Sequence, residues 1–270
     1  MAGSTTGWDR LRLHLASTAP PLHPPVPRPA LPPPLPATSA LRGPPPPPAA
    51  APDCRVCRGP VGPGFTRCYQ CGRHDLLGDG LLADAVVPIS YAIKGTAFAD
   101  DLWRYKSWPA PAASARVSVL ALLLAFLADH AACVGRHAAM PPPARLAVVP
   151  TGAGRPGPHP LLGLVSPHLR LPACPLAIRP GRQGRDLDLD RFRAGPVPAG
   201  ASVLLLDDTW VSGASAQSAA AALKLAGARR VAVIVVGRHV NPADPAAAPL
   251  LGALTPARYD PSTCAVHQGP

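Results

Sequence analysis

The sequence predicts an α/β protein with a parallel-sheet core, preceded by a small four-cysteine module and a proline-rich disordered leader. Three observations carry this. Residues 202–206 and 231–236 are short, continuous apolar runs of the kind buried on both faces of a parallel sheet. Between them, residues 215–226 form an alanine-rich helical stretch closed by Gly227, a good helix-ending residue. Strand, helix and strand within about 35 residues make a βαβ unit. Cysteines at 54, 57, 68 and 71 form two C-x-x-C pairs, and 16 of the 40 prolines fall between Pro20 and Pro52, where nearly half the chain is barred from helix or sheet ladders.

Taken in order, residues 1–17 hold Trp8, Leu11, Leu13 and Leu15, spaced for a short helix that nothing obliges to form. Residues 19–52 read first as a semi-rigid Pro/Ala linker, partly polyproline II, and second as a ligand for SH3- or WW-type domains. Beyond Cys71 the expected elements are a helix at 115–130, a strand at 145–149, a glycine-rich loop at 151–158, a helix at 159–169, strands at 174–178 and 202–206, the helix at 215–226 and the strand at 231–236. The chain thus divides into a leader (1–53), the cysteine module (54–75), an α/β domain (76–240) and a Pro/Ala-rich tail (241–270) expected to wrap the surface. Without the leader, roughly 215 residues remain, enough for one sizeable core and an accessory module.

The net charge of +11, from 26 Lys+Arg against 15 Asp+Glu, excludes an acidic solvating chain and favours an anionic partner, phosphate or nucleic acid. Part of it reflects composition: only Lys94, Lys106 and Lys224 are lysines, and the heavy Ala, Pro, Gly and Arg usage has the look of a GC-rich coding bias. No apolar run of signal-peptide length precedes the prolines, and the longest apolar run, residues 117–128, is shorter than a bilayer span. A cytoplasmic protein without a membrane partner is expected.

In that setting paired C-x-x-C means metal before disulfide or redox dithiol. Cys54, Cys57, Cys68 and Cys71 supply four thiolates from two turns, a tetrahedral set for structural Zn²⁺, and a module of about 20 residues folds only with its metal. Arg55, Arg58, Arg67 and Arg73 decorate it, which makes nucleic acid a secondary candidate partner.

The most informative stretch is residues 202–215, an apolar strand delivering Asp207 and Asp208, then Thr209-Trp210-Val211-Ser212-Gly213-Ala214-Ser215 leading into a helix. Open α/β sheets bind ligands at the carboxyl ends of their strands. The turn and helix N-terminus offer backbone N–H groups to an anion, with Ser212 and Ser215 hydroxyls alongside. Carboxylates for vicinal hydroxyls beside a phosphate nest suit a ribose 5-phosphate. A Walker B reading lacks its G-x-x-x-x-G-K-[ST] partner, and a G-x-G-x-x-G dinucleotide fingerprint is missing. Acids as mere turn formers, with Ser215 as helix cap, leave the adjacent pair at a strand end unexplained.

Residues 203–215 resemble the phosphoribosyl-pyrophosphate (PRPP) motif of type I phosphoribosyltransferases, and a four-cysteine zinc ribbon ahead of such a domain resembles the ComF-like branch, associated with competence proteins. The resemblance covers about residues 54–240. It implies a phosphoribosyltransferase-type core in which Asp207 and Asp208 are the catalytic pair holding the ribose hydroxyls. Val211, Ser212, Gly213, Ala214 and Ser215 would cradle the 5-phosphate, with Val211 standing where the family commonly has threonine. The loop after the 145–149 strand, with Thr151, Gly152, Ala153, Gly154 and Arg155, would bind pyrophosphate, although Gly157-Pro158-His159 replaces the family's Arg-Gly-Phe-Asn-like sequence. His159 is a candidate ligand or acid, or simply an exposed residue at a helix start. Arg179, Arg182 and Arg185 occupy the position of a flexible loop closing over PRPP. The alternating Asp186, Asp188 and Asp190 equally suit a salt-bridged hairpin. Phe98, Leu102 and Tyr105 form a helical stripe read as core packing, with Lys94 or Lys106 facing the pocket.

The implied activity is phosphoribosyl transfer to or from a nitrogen acceptor with pyrophosphate as leaving group, a glycosyltransferase reaction of nucleotide metabolism. Mg²⁺ would accompany PRPP, and a homodimer is compatible with the family. The alternative is a non-catalytic PRPP-fold binding or regulatory protein linked to DNA uptake or handling. A zinc adaptor with a scaffolding α/β domain is third.

Overall fold

The computed structural model describes residues 53–151, 158–182, 184–254 and 263–266. The leader up to residue 52, and the glycine-loop candidates Gly152, Ala153, Gly154 and Arg155, lie outside the described residues. A short helix α1 (Tyr69–Leu77) follows the cysteine loops, and strand β1 (Ala85–Ile93) opens the α/β domain. Then come α2 (Ala97–Arg104), α3 (Ala113–His137), β2 (Arg145–Val148) and α4 (Pro160–Leu169). A small antiparallel hairpin, β3 (Leu176–Ile178) with β4 (Phe192–Ala194), precedes β5 (Ser202–Trp210), α5 (Ala214–Leu225) and β6 (Arg230–Val240). The chain continues into a 3-10 turn at Pro245–Ala247 and α6 (Ala248–Ala253).

Four strands form a wholly parallel sheet in the order β1-β6-β5-β2. The apolar runs of β5 and β6 serve both faces, because successive side chains of a strand point to opposite sides. Leu204, Leu206, Ala232, Ile234 and Val236 enter the core shared with α2, α3 and α4. Val203, Leu205, Val231, Val233 and Val235 enter the opposite core, shared with α5, the hairpin and Cys54, Cys57 and Cys71 of the cysteine module. Each such fully buried Val, Leu or Ile contributes about 1.5–3 kcal/mol of apolar transfer free energy, so the central strands anchor both layers.

Helix α3 runs well beyond the expected 115–130. By length and composition its 25 residues suffice to cross a membrane, yet 56% of its most apolar window is buried inside the protein. Val119, Leu122, Leu123, Phe126 and Leu127 face the sheet core, so it serves as the core helix of the α/β layer. The tail also departs from a surface wrap. Leu250 packs beside Tyr91 and Val240, and Cys264, Ala265 and Val266 are buried in the α3-side core.

The cysteine module is fastened to the sheet by arginines. Arg58 pairs with the buried Asp53 at 3.5 Å and donates to the Ala265 carbonyl at 2.7 Å, while its own carbonyl accepts from the Tyr91 hydroxyl at 2.7 Å. Arg238, buried at the end of β6, donates to the carbonyls of Trp210 (3.0 Å) and Val211 (3.2 Å). A Cβ at Gly59 would fall 2.1 Å from the Arg238 guanidinium, so that approach needs glycine.

Candidate functional site

All four main strands are parallel, so their carboxyl ends share one edge. Lys94 follows β1, Thr151 lies just beyond β2, the two aspartates lie in the last half of β5, and His239 sits near the end of β6. A cleft of about 880 Å³ opens there, lined by Lys94, Thr96, Trp103, Lys106, Asp208 and His239 among others.

Strand β5 continues to Trp210, four residues past the expected stop, so the aspartates lie within the ladder and alternate across it. Asp208 shares the face of Leu204 and Leu206. Its carboxylate Oδ2 accepts from the Tyr105 hydroxyl at 2.5 Å and from Lys106 Nζ at 2.7 Å, and lies 3.4 Å from His159 Nε2. His159 caps α4: its Nδ1 accepts the Leu161 N–H at 3.0 Å. That bond leaves the ring proton on Nε2, aimed at Asp208. Burial alone would raise the Asp208 pKa, but the hydrogen bond from His159 and the charge of Lys106 outweigh it and hold the carboxyl below its ordinary range.

Asp207 shares the opposite face with Val203 and Leu205, on the side of α5. Burial, then the neighbouring Asp208 charge, push its pKa up from 3.8 to about 7. The pair is therefore polarised: one carboxylate is fixed as an anion by three donors, and the other is poised to exchange a proton near neutrality.

The turn after β5 is built around Gly213, at φ +83°, where a Cβ would meet the Trp210 ring at 2.0 Å. Gly213 is the N-cap of α5, so Ser215 is inside the helix and not its cap. Ser212 Oγ accepts from the Ala214 N–H at 3.3 Å, and Ser215 Oγ accepts from Arg191 Nη1 at 3.1 Å. Val211 is 63% exposed at the mouth. The N-terminus of α5 thus brings together a helix start, two hydroxyls and a buried guanidinium, which is a setting for an anion.

The 179–193 segment takes the salt-bridged hairpin form. Arg182 pairs with Asp188 at 3.4 Å and Asp190 at 3.6 Å, and Arg179 Nε donates to the Phe192 carbonyl. Of the three candidate arginines, Arg185 is tied to the turn after β5, its carbonyl accepting from Ser212 Oγ at 3.4 Å. Arg191, absent from the expected set, is the guanidinium that reaches Ser215. Its neighbours in sequence carry several other arginines, so nothing local marks it out. Tyr105, read from the sequence as core packing, and His159, a candidate ligand or acid or else an exposed helix start, are both buried against Asp208.

In the cysteine module, the ligand atoms of Cys54, Cys57, Cys68 and Cys71 lie within 4.8 Å of one another, with Cys57 and Cys68 sulfurs 3.8 Å apart. Two sulfurs sharing a tetrahedral zinc at about 2.3 Å stand about 3.8 Å apart. The four-cysteine cluster is therefore able to hold a metal ion such as zinc. No family model matches the sequence, and no curated protein matches it.

Proposed function

We propose that this chain is a phosphoribosyltransferase-like protein of the type I, ComF-like kind, binding PRPP at the carboxyl end of β5. In this reading it transfers a phosphoribosyl group to or from a nitrogen acceptor with pyrophosphate leaving. The observation that carries the reading is the run from Asp207 and Asp208 through the Gly213 turn into the N-terminus of α5, with Arg191 held at Ser215. The backbone amides at the start of α5 and the two serine hydroxyls receive the 5-phosphate, which takes the Ala214 N–H over from Ser212 Oγ. Asp207, on the α5 side, takes a ribose hydroxyl and gives up its proton as it does so. Lys106 and His159 keep Asp208 anionic, which favours positive charge developing at the anomeric carbon. Mg²⁺ accompanying PRPP would supply charge neutralisation at the leaving pyrophosphate, and the carboxylate of Asp207 and the hydroxyl of Thr209 are the hard oxygen donors that would hold it. The cysteine cluster holds structural zinc.

A second reading, a non-catalytic PRPP-fold binder, is favoured by one observation: Asp208 already has Tyr105, Lys106 and His159 around a single oxygen. A substrate hydroxyl would compete with those donors. Pyrophosphate release from PRPP and Mg²⁺, measured across a panel of nitrogenous bases, separates the readings. Base-dependent release that is lost in Asp207→Asn supports the enzyme. No release, with PRPP still raising the melting temperature of the wild type, leaves the binder. Neither effect removes both.

A further inference from the structure

A second cluster of metal-ligating side chains lies on the α3 side of the sheet, apart from the four-cysteine module. His130 and Cys133, one turn apart on α3, meet Cys264 from the C-terminal segment. All three are buried, and their ligand atoms lie within 4.8 Å of one another. We propose that His130, Cys133 and Cys264 form a second structural metal site, for zinc or a similar thiophilic divalent ion, that pins the C-terminal segment to the core helix.

Four observations converge. Cys133 Sγ stands 3.9 Å from His130 Nδ1, and an imidazole nitrogen and a sulfur on one tetrahedral zinc stand about 3.6 Å apart, from bonds of about 2.1 and 2.3 Å. The i, i+3 placement on a helix puts both donors on one face. Arg136 Nη2 donates to Cys133 Sγ at 3.4 Å, the kind of outer hydrogen bond that steadies a metal-bound thiolate. Finally, Phe126 packs on the His130 ring with centroids 5.2 Å apart, and Arg58 of the cysteine module holds the Ala265 carbonyl at 2.7 Å. Ring and tail are therefore placed before any ion arrives. Two thiolates balance one divalent charge, so the ion enters the apolar core as a neutral unit, and binding releases the two thiol protons.

The consequence is a protein stapled twice: one metal closes the N-terminal module, and the other fixes the C-terminal segment, with Arg58 linking the two. This does not depend on PRPP binding. The test is metal content of the full chain, purified under reducing conditions and loaded with zinc. The expected result is two zinc equivalents in the wild type, one in Cys264→Ala, one in Cys133→Ala, and one in the double variant Cys54→Ser/Cys57→Ser. Because a core variant can fail to fold, cobalt(II) titration of the wild type gives an independent readout. It should show two classes of site, a four-sulfur spectrum and a second spectrum of mixed nitrogen and sulfur ligation. A single equivalent that only the Cys54/Cys57 variant loses, or a single cobalt class, overturns the proposal. So does a Cys133–Cys264 disulfide in the reduced preparation.

Discussion

Nε2 of His159 lies 3.4 Å from Oδ2 of Asp208, and both side chains are 5% exposed. This pair ties the start of α4 to the last half of β5, and Lys106, two residues past α2, reaches the same oxygen. Asp208 is thereby braced on the face where the cleft of about 880 Å³ opens, while Asp207 and the Gly213 turn lie on the α5 face. The account of the site follows from that asymmetry.

Lys106→Met removes the cation nearest Asp208 while Tyr105 and His159 remain, so the expected loss of stability is about 1–3 kcal/mol, less than for an ion pair with no other support. Combining it with Asp208→Asn should cost less than the two single changes added together, because the uncompensated charge is gone. Urea denaturation of the four proteins reads the coupling, and strict additivity contradicts it.

The raised pKa of Asp207 predicts a stability slope with a definite sign. The folded state binds this proton more tightly than the unfolded chain, so the contribution is fully present below the ordinary value of 3.8. It is lost as pH rises through about 7. In the difference between wild type and Asp207→Asn, the wild type should lose relative stability from pH 4 to pH 7.5. Denaturant midpoints at four or five pH values check this, and an upward slope contradicts it.

Gly213→Ala places a methyl group against the Trp210 ring at a positive φ. A loss of about 2–4 kcal/mol is expected from backbone strain and overlap together. A red shift in tryptophan emission should accompany it, as the buried indole is displaced. Ser212→Ala, which removes the hydroxyl bonded to the Ala214 N–H but puts nothing against the Trp210 ring, should leave emission unchanged.

Chelation of the four-cysteine metal should open the module and expose the backbone around residues 54–77, because that segment has little core of its own beyond its cysteines. Limited proteolysis with and without chelator reports it: new cleavage at Arg55, Arg58 or Arg67 is the expected result. An unchanged pattern after proven metal loss runs against a metal-dependent module.

Much of this architecture is legible in the sequence, and the exceptions have physical causes. The apolar runs of β5 and β6 announce a doubly buried parallel pair, and the helix between them ends at Gly227, which adopts φ +110° as such a cap requires. Strand β1 is not legible, because Pro88 interrupts its apolar run. The strand tolerates proline because it lies at the edge of the sheet and pairs on one side only, with β6. The Asp-Asp pair and its glycine turn are visible as a motif. The partners of Asp208 are not, since Tyr105, Lys106 and His159 come from elements far apart in sequence, and periodicity reports only that Tyr105 is buried. The same holds for Arg191, whose role depends on how the β3–β4 hairpin lies on α5, and for the meeting of α3 with the tail cysteine. Contacts made by tertiary packing leave no local pattern.

The central claim is that the edge formed by β5 and α5 binds a phosphoribosyl pyrophosphate. Isothermal titration of PRPP with Mg²⁺ into the full chain tests it most directly, with Ser215→Ala, Asp207→Asn and inorganic pyrophosphate as comparisons. The account predicts saturable one-site binding by the wild type, weakened about tenfold or more in each variant, and weaker binding of pyrophosphate alone. No binding of PRPP by the wild type, or binding that both variants retain in full, would contradict it.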